Sequence, residues 1–157
     1  AMQGGEIIFS AVGTTQKKVK GDAAAYRKVD EWIPTKAAEF GAKRGSKSFL
    51  LVSAIGADAQ SKNFYLKLKG EVETQIKKSG IPSIFVFQPS LLLGNRGEFR
   101  LGERMAQWIS PIFRWLTPSK YRAVEAKDLA KAMVHCSKSH NKGHFTLTYA
   151  DFFPAKT

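Results

Sequence analysis

The chain has 157 residues, enough for one domain with a core, and 43% of them are hydrophobic. A formal net charge of +12 suits an anionic partner such as an acidic protein, a membrane surface or a dinucleotide, but the basic residues are scattered and no aromatic–basic stripe marks a nucleic-acid surface. Cys136 is the sole cysteine, which excludes an intrachain disulfide, no run approaches the roughly 18 apolar residues of a membrane span, and the start AMQGGEIIF has no leader pattern, so a cytoplasmic protein is expected.

Ile7 to Val12 is a mostly apolar, partly β-branched run that predicts a strand, with Gly13 permitting a turn through Thr15. Gln16 to Asp22 reads as a polar loop. A helix follows, from Ala23 or Asp30 to Ala42, and Pro34 requires that it either start near that residue or kink there. Trp32, Ile33, Ala37, Ala38 and Phe40 form its expected core face, and Gly41 and Gly45 its stop signals. Phe49 to Ser53 is the next strand and Ser61 to Lys78 the next helix, on which Phe64, Leu68, Val72 and Ile76 recur at helical spacing. Gly70 is expected to allow close packing, and Ser79-Gly80-Ile81-Pro82 stops the helix. Ile84 to Phe87 is a third buried strand, followed by a Pro-initiated loop from Pro89 to Gly94. Glu98 to Leu116 is amphipathic and interrupted at Pro111. Tyr121 to Val124 is short and extended, Glu125 to Cys136 is a helix, His144 to Tyr149 a last alternating strand, and the tail after Asp151 is loose. His135, Cys136, His140 and His144 lack the spacing of a metal site.

The stretch Ser53 to Glu73 concentrates the chemistry. Ser53 sits where a buried strand ends, and on the following helix Tyr65 and Lys69 are four residues apart, on one face. A phenol is a poor acid or base at neutral pH, and a nearby ammonium favours its ionised form. A serine hydroxyl can hold the carbonyl oxygen that receives the tyrosine's proton. Together the three can form one proton-transfer unit.

Ser53 with Tyr65-x-x-x-Lys69, flanked by Val52-Ser53-Ala54-Ile55-Gly56-Ala57-Asp58 and Lys69-Gly70-Glu71-Val72-Glu73, resembles the catalytic signature of the short-chain dehydrogenases/reductases, their atypical branch in particular. The likeness continues at Val12-Gly13-Thr14-Thr15 and from Phe87 to Arg96. It implies an α/β fold with a partial Rossmann-like, doubly wound, mainly parallel sheet. It also implies an NAD(P)-dependent oxidoreductase acting on a carbonyl or alcohol. Tyr65 is then the general acid/base, Lys69 lowers its pKa and holds the nicotinamide ribose, and Ser53 orients the carbonyl. Gly13, Thr14 and Thr15 would lie beside the adenosine part of the cofactor, where a plain strand end is the alternative reading. Pro89, Ser90 and Leu91 would lie near the nicotinamide, with Ser90 standing where the family carries Gly. The segment 98–116 would cap a substrate pocket, or else be core. The basic surface favours NADP, with NAD as the other choice.

By the same resemblance Ile7 to Val12 is the fourth strand of such a sheet. No G-x-G-x-x-G or G-x-x-G-x-x-G follows a strand in this chain, and Gly4-Gly5 precedes one. Residues 1–157 are therefore expected to be one domain, the C-terminal part of an NAD(P)-binding Rossmann domain lacking its first strands. They are either part of a longer protein or a shortened relative. A non-catalytic regulatory or binding protein on the same fold is the second functional expectation. The bare edge at Ile7 to Val12 is expected to pair with a second copy or a protein partner.

Overall fold

A computed structural model describes residues 7–90, 92–93 and 122–152. Four strands, β1 (Ile7–Ser10), β2 (Ser48–Val52), β3 (Ser83–Phe87) and β6 (Gly143–Leu147), form one parallel sheet in the order β1-β2-β3-β6. Ile7 pairs with Ser48, Ser48 with Ser83, and Ser83 with Gly143, so the four strands start level and their carboxyl ends share one edge. A second, two-stranded parallel pair joins β4 (Leu92–Leu93) to β5 (Val124–Glu125).

The helices are α1 (Ala23–Arg27), α2 (Ile33–Lys43), α3 (Phe64–Lys77), α4 (Ala126–Ser137) and α5 (Tyr149–Phe152). They cover the sheet on both faces. Phe49 and Leu51 of β2 and Ile84 and Val86 of β3 pack with Ala38 of α2 and Val72 and Ile76 of α3. Leu50, Phe85 and Phe87 point the other way, to Leu129 and Met133 of α4 and Phe152 of α5. Alternate residues of each strand thus feed two cores, which is why β2 and β3 read as unbroken apolar runs. Each fully buried Leu, Ile, Val or Phe contributes roughly 1.5–3 kcal/mol. The doubly wound α/β fold expected from the sequence is borne out.

The largest departure is at α1–α2. The chain does kink before Pro34, but as one π-helical turn, Lys28–Trp32, between the two α-helices. A residue added to one turn advances everything after it by about 100° relative to a 3.6-residue count. The expected core face is therefore wrong for three of its members: Trp32 is 56% exposed, and Ile33 and Phe40 are exposed too. Ala38 is buried as expected, and Tyr26, Asp30, Pro34 and Thr35 are buried in place of the exposed three. Gly41 is not a stop signal. It lies inside α2, where an added Cβ would collide with Ile8, while Gly45, at φ +73°, ends the helix.

At α3 the expectation holds better. Leu68, Val72 and Ile76 are buried, and a Cβ on Gly70 would run into the backbone of Asp58 and Ala59. The helix begins later than expected, because the Asn63 side chain accepts hydrogen bonds from the amides of Tyr65 and Leu66 and so caps it there. β1 is shorter than expected, ending at Ser10, and Phe9 is 49% exposed. β6 ends at Leu147. A short helix follows through Phe152, whose ring packs 5.8 Å from that of Phe87, and the rest of the tail expected to be loose after Asp151 lies outside the described residues. Leu91 and the amphipathic segment 98–116 lie outside the described residues.

Candidate functional site

The turn after β1, the Ser53 loop after β2 and Pro89–Ser90 after β3 come together at the carboxyl edge of the sheet. Open α/β sheets bind their ligands at this edge. The loops are tied to one another through the backbone: Ser53 N donates to Phe87 O at 2.7 Å, and Ile55 N to Pro89 O at 3.1 Å. Capping by Asn63 starts α3 so that Tyr65 falls in its first turn and Lys69 one turn on. Gly70 lets that turn lie directly against Asp58 and Ala59.

Lys69 and Tyr65 are together. The ammonium lies over the Tyr65 ring, 5.8 Å from its centroid. Its strongest contact is elsewhere, a 2.9 Å ion pair with Asp30 Oδ1, whose side chains are 8% and 2% exposed. Asp30 Oδ2 accepts from the Thr14 amide at 2.7 Å. One carboxylate thereby joins the turn after β1 to the middle of α3. The Tyr65 phenol is pushed up, not down. Burial is the main cause, with the negative potential of Tyr26 and Asp30 adding to it. The expected lowering by Lys69 is not seen, because that positive charge is met by Asp30 while the half-buried ring disfavours a phenolate.

Ser53 is buried and points to α3. Its Oγ donates to Glu73 Oε1 at 2.5 Å, and Gln88 Nε2 donates to the same oxygen at 2.9 Å. Lys77 Nζ is 4.0 Å from Glu73 Oε2. Two donors on one oxygen, with an ammonium nearby, are what an ionised carboxylate attracts. No hydrogen bond joins Ser53 to Tyr65, so the structure brings Tyr65 to Lys69 but engages Ser53 with a different partner.

The remaining expected residues that are described, Gly13, Thr15, Pro89 and Ser90, line the same edge. A Cβ on Gly13 would meet Asp30 Oδ1 at 3.4 Å, and Thr15 Oγ1 accepts from the Lys18 amide. Ser90 is buried, and its hydroxyl donates to Arg122 O at 2.6 Å. Asp30, Glu73 and Gln88 were missed in the sequence. Glu73 had a signal, since it continues the i, i+4 row from Tyr65 and Lys69. Asp30 had none, being 39 residues from the lysine it holds. The donor set fits a nucleotide in kind: a glycine-containing turn with two threonines, and a buried lysine, at the carboxyl edge of parallel strands. A surface groove of about 580 Å³, lined by Arg27, Glu31, Trp32 and Gln75 among others, includes none of these residues.

No protein-family model matches the chain. It is 33% identical over 150 residues to the protein HTATIP2 of Rattus norvegicus, covering 94% of this chain and 60% of the relative. It is 36% identical over 132 residues to the mitochondrial protein FMP52 of Candida albicans, covering 82% of this chain and 57% of the relative. The chain thus spans about 60% of the length of the curated relatives it matches. Among solved structures it is similar to MoeE5 in complex with UDP-glucuronic acid and NAD, with a TM-score of 0.65 at 9% identity, covering 91% of this chain and 56% of the other. It is also similar to a dTDP-4-dehydrorhamnose reductase ortholog from Clostridium acetobutylicum, with a TM-score of 0.62 at 17% identity, covering 90% and 55%. At these identities the structural likeness establishes the fold. The resemblance drawn from the sequence is borne out: the chain is a relative of HTATIP2 and FMP52, with the Rossmann-type fold of NAD-binding epimerases and reductases. The expected cytoplasmic location is overturned, since several FMP52 relatives are named mitochondrial. The composition behind that expectation carries no address.

Proposed function

We propose that this relative of HTATIP2 and FMP52 supplies the C-terminal part of an NAD(P)-dependent oxidoreductase that reduces a carbonyl or oxidises the matching alcohol. The observation that carries the reading is the Tyr65–Lys69 pair on α3, beside the turn 13–15 at the carboxyl edge of a parallel sheet. A nicotinamide cofactor, when bound, supplies or accepts the hydride. Gly13, Thr14, Thr15, Lys69, Pro89, Ser90 and Leu91 are the residues assigned to hold it. Tyr65 gives its hydroxyl proton to the carbonyl oxygen on reduction and takes it back on oxidation. Lys69 faces the phenol with its positive charge, and Ser53 donates to the carbonyl oxygen once its proton leaves Glu73. NADP is favoured over NAD on the strength of the +12 charge. The exposed β1 edge, with Phe9, is the surface assigned to a second copy or a protein partner.

The test is reductase turnover on a panel of carbonyl compounds with NADPH and NADH. Tyr65→Phe should lower kcat by roughly 10²–10⁴-fold. Turnover at the wild-type rate in that variant would remove the proton-transfer role.

A second reading is a non-catalytic regulatory protein on this fold. It draws support from the engaged state of the site: Ser53 donates to Glu73, Lys69 pairs with Asp30, and the phenol is pushed up. Calorimetric titration with NADPH separates the two readings, since tight binding with turnover counts against a purely regulatory role.

A further inference from the structure

The connections that enter β2, β3 and β6 meet at the amino edge of the sheet, opposite the site. They are the short stretches 43–47, 78–82 and 138–142. Because Ser48, Ser83 and Gly143 stand in register, the three finish level with one another. Hydrogen bonds stitch them together: Ser83 N donates to Lys47 O at 3.2 Å, Ser83 Oγ to Asn141 O at 2.7 Å, and Gly143 N to Pro82 O at 2.9 Å. Neighbouring strands lie about 4.8 Å apart, so the three loops present a level strip about 10 Å across.

The composition of this strip is one-sided. Lys43, Arg44 and Lys47 lie on the first connection, Lys78 on the second, and Lys138 and Lys142 on the third, and none of the three contains Asp or Glu. All six basic residues are exposed. Among the described residues none of the six forms an ion pair with a carboxylate, and Glu39, the nearest acid before them on α2, is held by Lys36 at 2.6 Å. The charges are scattered along the sequence, but in a parallel sheet every helix-to-strand connection returns to the same edge, so the topology gathers them. Phe40, a turn before Arg44, is 44% exposed, and the Arg44 guanidinium lies over its ring, 5.2 Å from the centroid.

We propose that this amino-edge strip docks the protein on an anionic lipid surface, with the carboxyl edge of the sheet facing away into water. A planar array of negative headgroups matches a level strip of cations, and each lysine or arginine at such a surface strengthens binding roughly fivefold. The Phe40 ring beside Arg44 adds an apolar contact at headgroup depth. Nucleic acid fits less well. The strip is made of short loops, with no helix or ribbon to enter a groove, and the three connections carry no Phe, Tyr or Trp on which bases could stack. Docking at this edge is independent of the oxidoreductase reading and needs neither substrate nor cofactor.

The test is co-sedimentation of the 157-residue chain with vesicles of phosphatidylcholine, alone and with about one-third phosphatidylserine. Binding is expected only with the anionic lipid. It should weaken as salt rises from about 0.1 to 1 M, where the screening length shrinks from about 10 to 3 Å. Lys47→Gln with Lys142→Gln should lower the affinity roughly thirtyfold. Lys17→Gln with Lys20→Gln removes the same charge from the loop at the opposite edge and should lower it by less than about threefold. All four side chains are exposed, so both double variants should melt with the wild type. Equal losses in the two pairs would mean that net charge alone drives binding, and would overturn the assignment to this edge. Absence of binding to the anionic vesicles, or equal binding to the neutral ones, would overturn it too. So would tighter binding of a DNA duplex than of the vesicles through Lys47 and Lys142, which would make the strip a nucleic-acid surface.

Discussion

Gly70→Ala sets two known effects against each other. Within a helix alanine is favoured over glycine by about 1 kcal/mol, so on propensity alone the variant would be more stable. The new methyl group, however, would meet the carbonyl carbon of Asp58 and the amide of Ala59 inside van der Waals contact, and lie 2.7 Å from Asp58 Cα. These are backbone atoms and cannot swing away as a side chain can. Either α3 moves off the sheet, losing contacts of the buried Leu68, Val72 and Ile76, or the loop carrying Asp58 retreats and gives up the 3.1 Å hydrogen bond from Asp58 N to Leu66 O. Overpacking of this kind costs about 1–3 kcal/mol, and the lost hydrogen bond adds about 1 kcal/mol. After subtracting the propensity gain, the net destabilisation is about 1–3 kcal/mol. With a urea m-value of about 1–3 kcal/mol/M for a small protein, the midpoint should fall by about 1 M at unchanged m. The same shift displaces the Ser53 loop from Tyr65, so activity should drop in protein that is still folded. A midpoint unchanged or raised would mean that α3 and the loop do not approach as closely as described.

The buried acceptor at Glu73 makes a graded prediction. Glu73→Ala leaves the Ser53 and Gln88 donors unpaired and should cost about 2–5 kcal/mol, whereas Glu73→Gln keeps a carbonyl oxygen and should cost about 1 kcal/mol. Equal losses in urea unfolding would mean that the hydrogen bonds are not what holds the cluster. At high pH, Tyr26 and Tyr65 give stability a definite sign. Both phenols are pushed up by burial, so the unfolded chain releases their protons first, near pH 10. Their contribution is complete below that pH and declines as pH rises above it. Thermal melts above pH 10 should therefore fall less steeply in Tyr65→Phe than in the wild type, and parallel slopes would place Tyr65 in water.

The sequence by itself determined the parts of this protein that depend on local pattern. The apolar runs of β2 and β3 and the helical row Leu68, Val72, Ile76 are repeated over several residues, so they survive errors of one or two positions at the ends. The same is true of Tyr65 beside Lys69, because four residues along any α-helix share a face. Gly70 was legible as a place of close approach, though not against what.

The tertiary structure decided whatever depended on a partner far along the chain or on one non-standard turn. A single π-helical turn rotated α2, exposing Trp32 and Phe40 and burying Asp30, and periodicity counted at 3.6 residues cannot anticipate that. Ser53 and Lys69 were found as residues, but their partners, Glu73 at 20 positions and Asp30 at 39, came only with the fold. The sign of the Tyr65 shift followed mainly from burial, with Tyr26 and Asp30 adding to it. How far an ammonium four residues away favours a phenolate depends on which other charge meets it and how much water is excluded. Both of these are properties of the packed site, absent from the spacing.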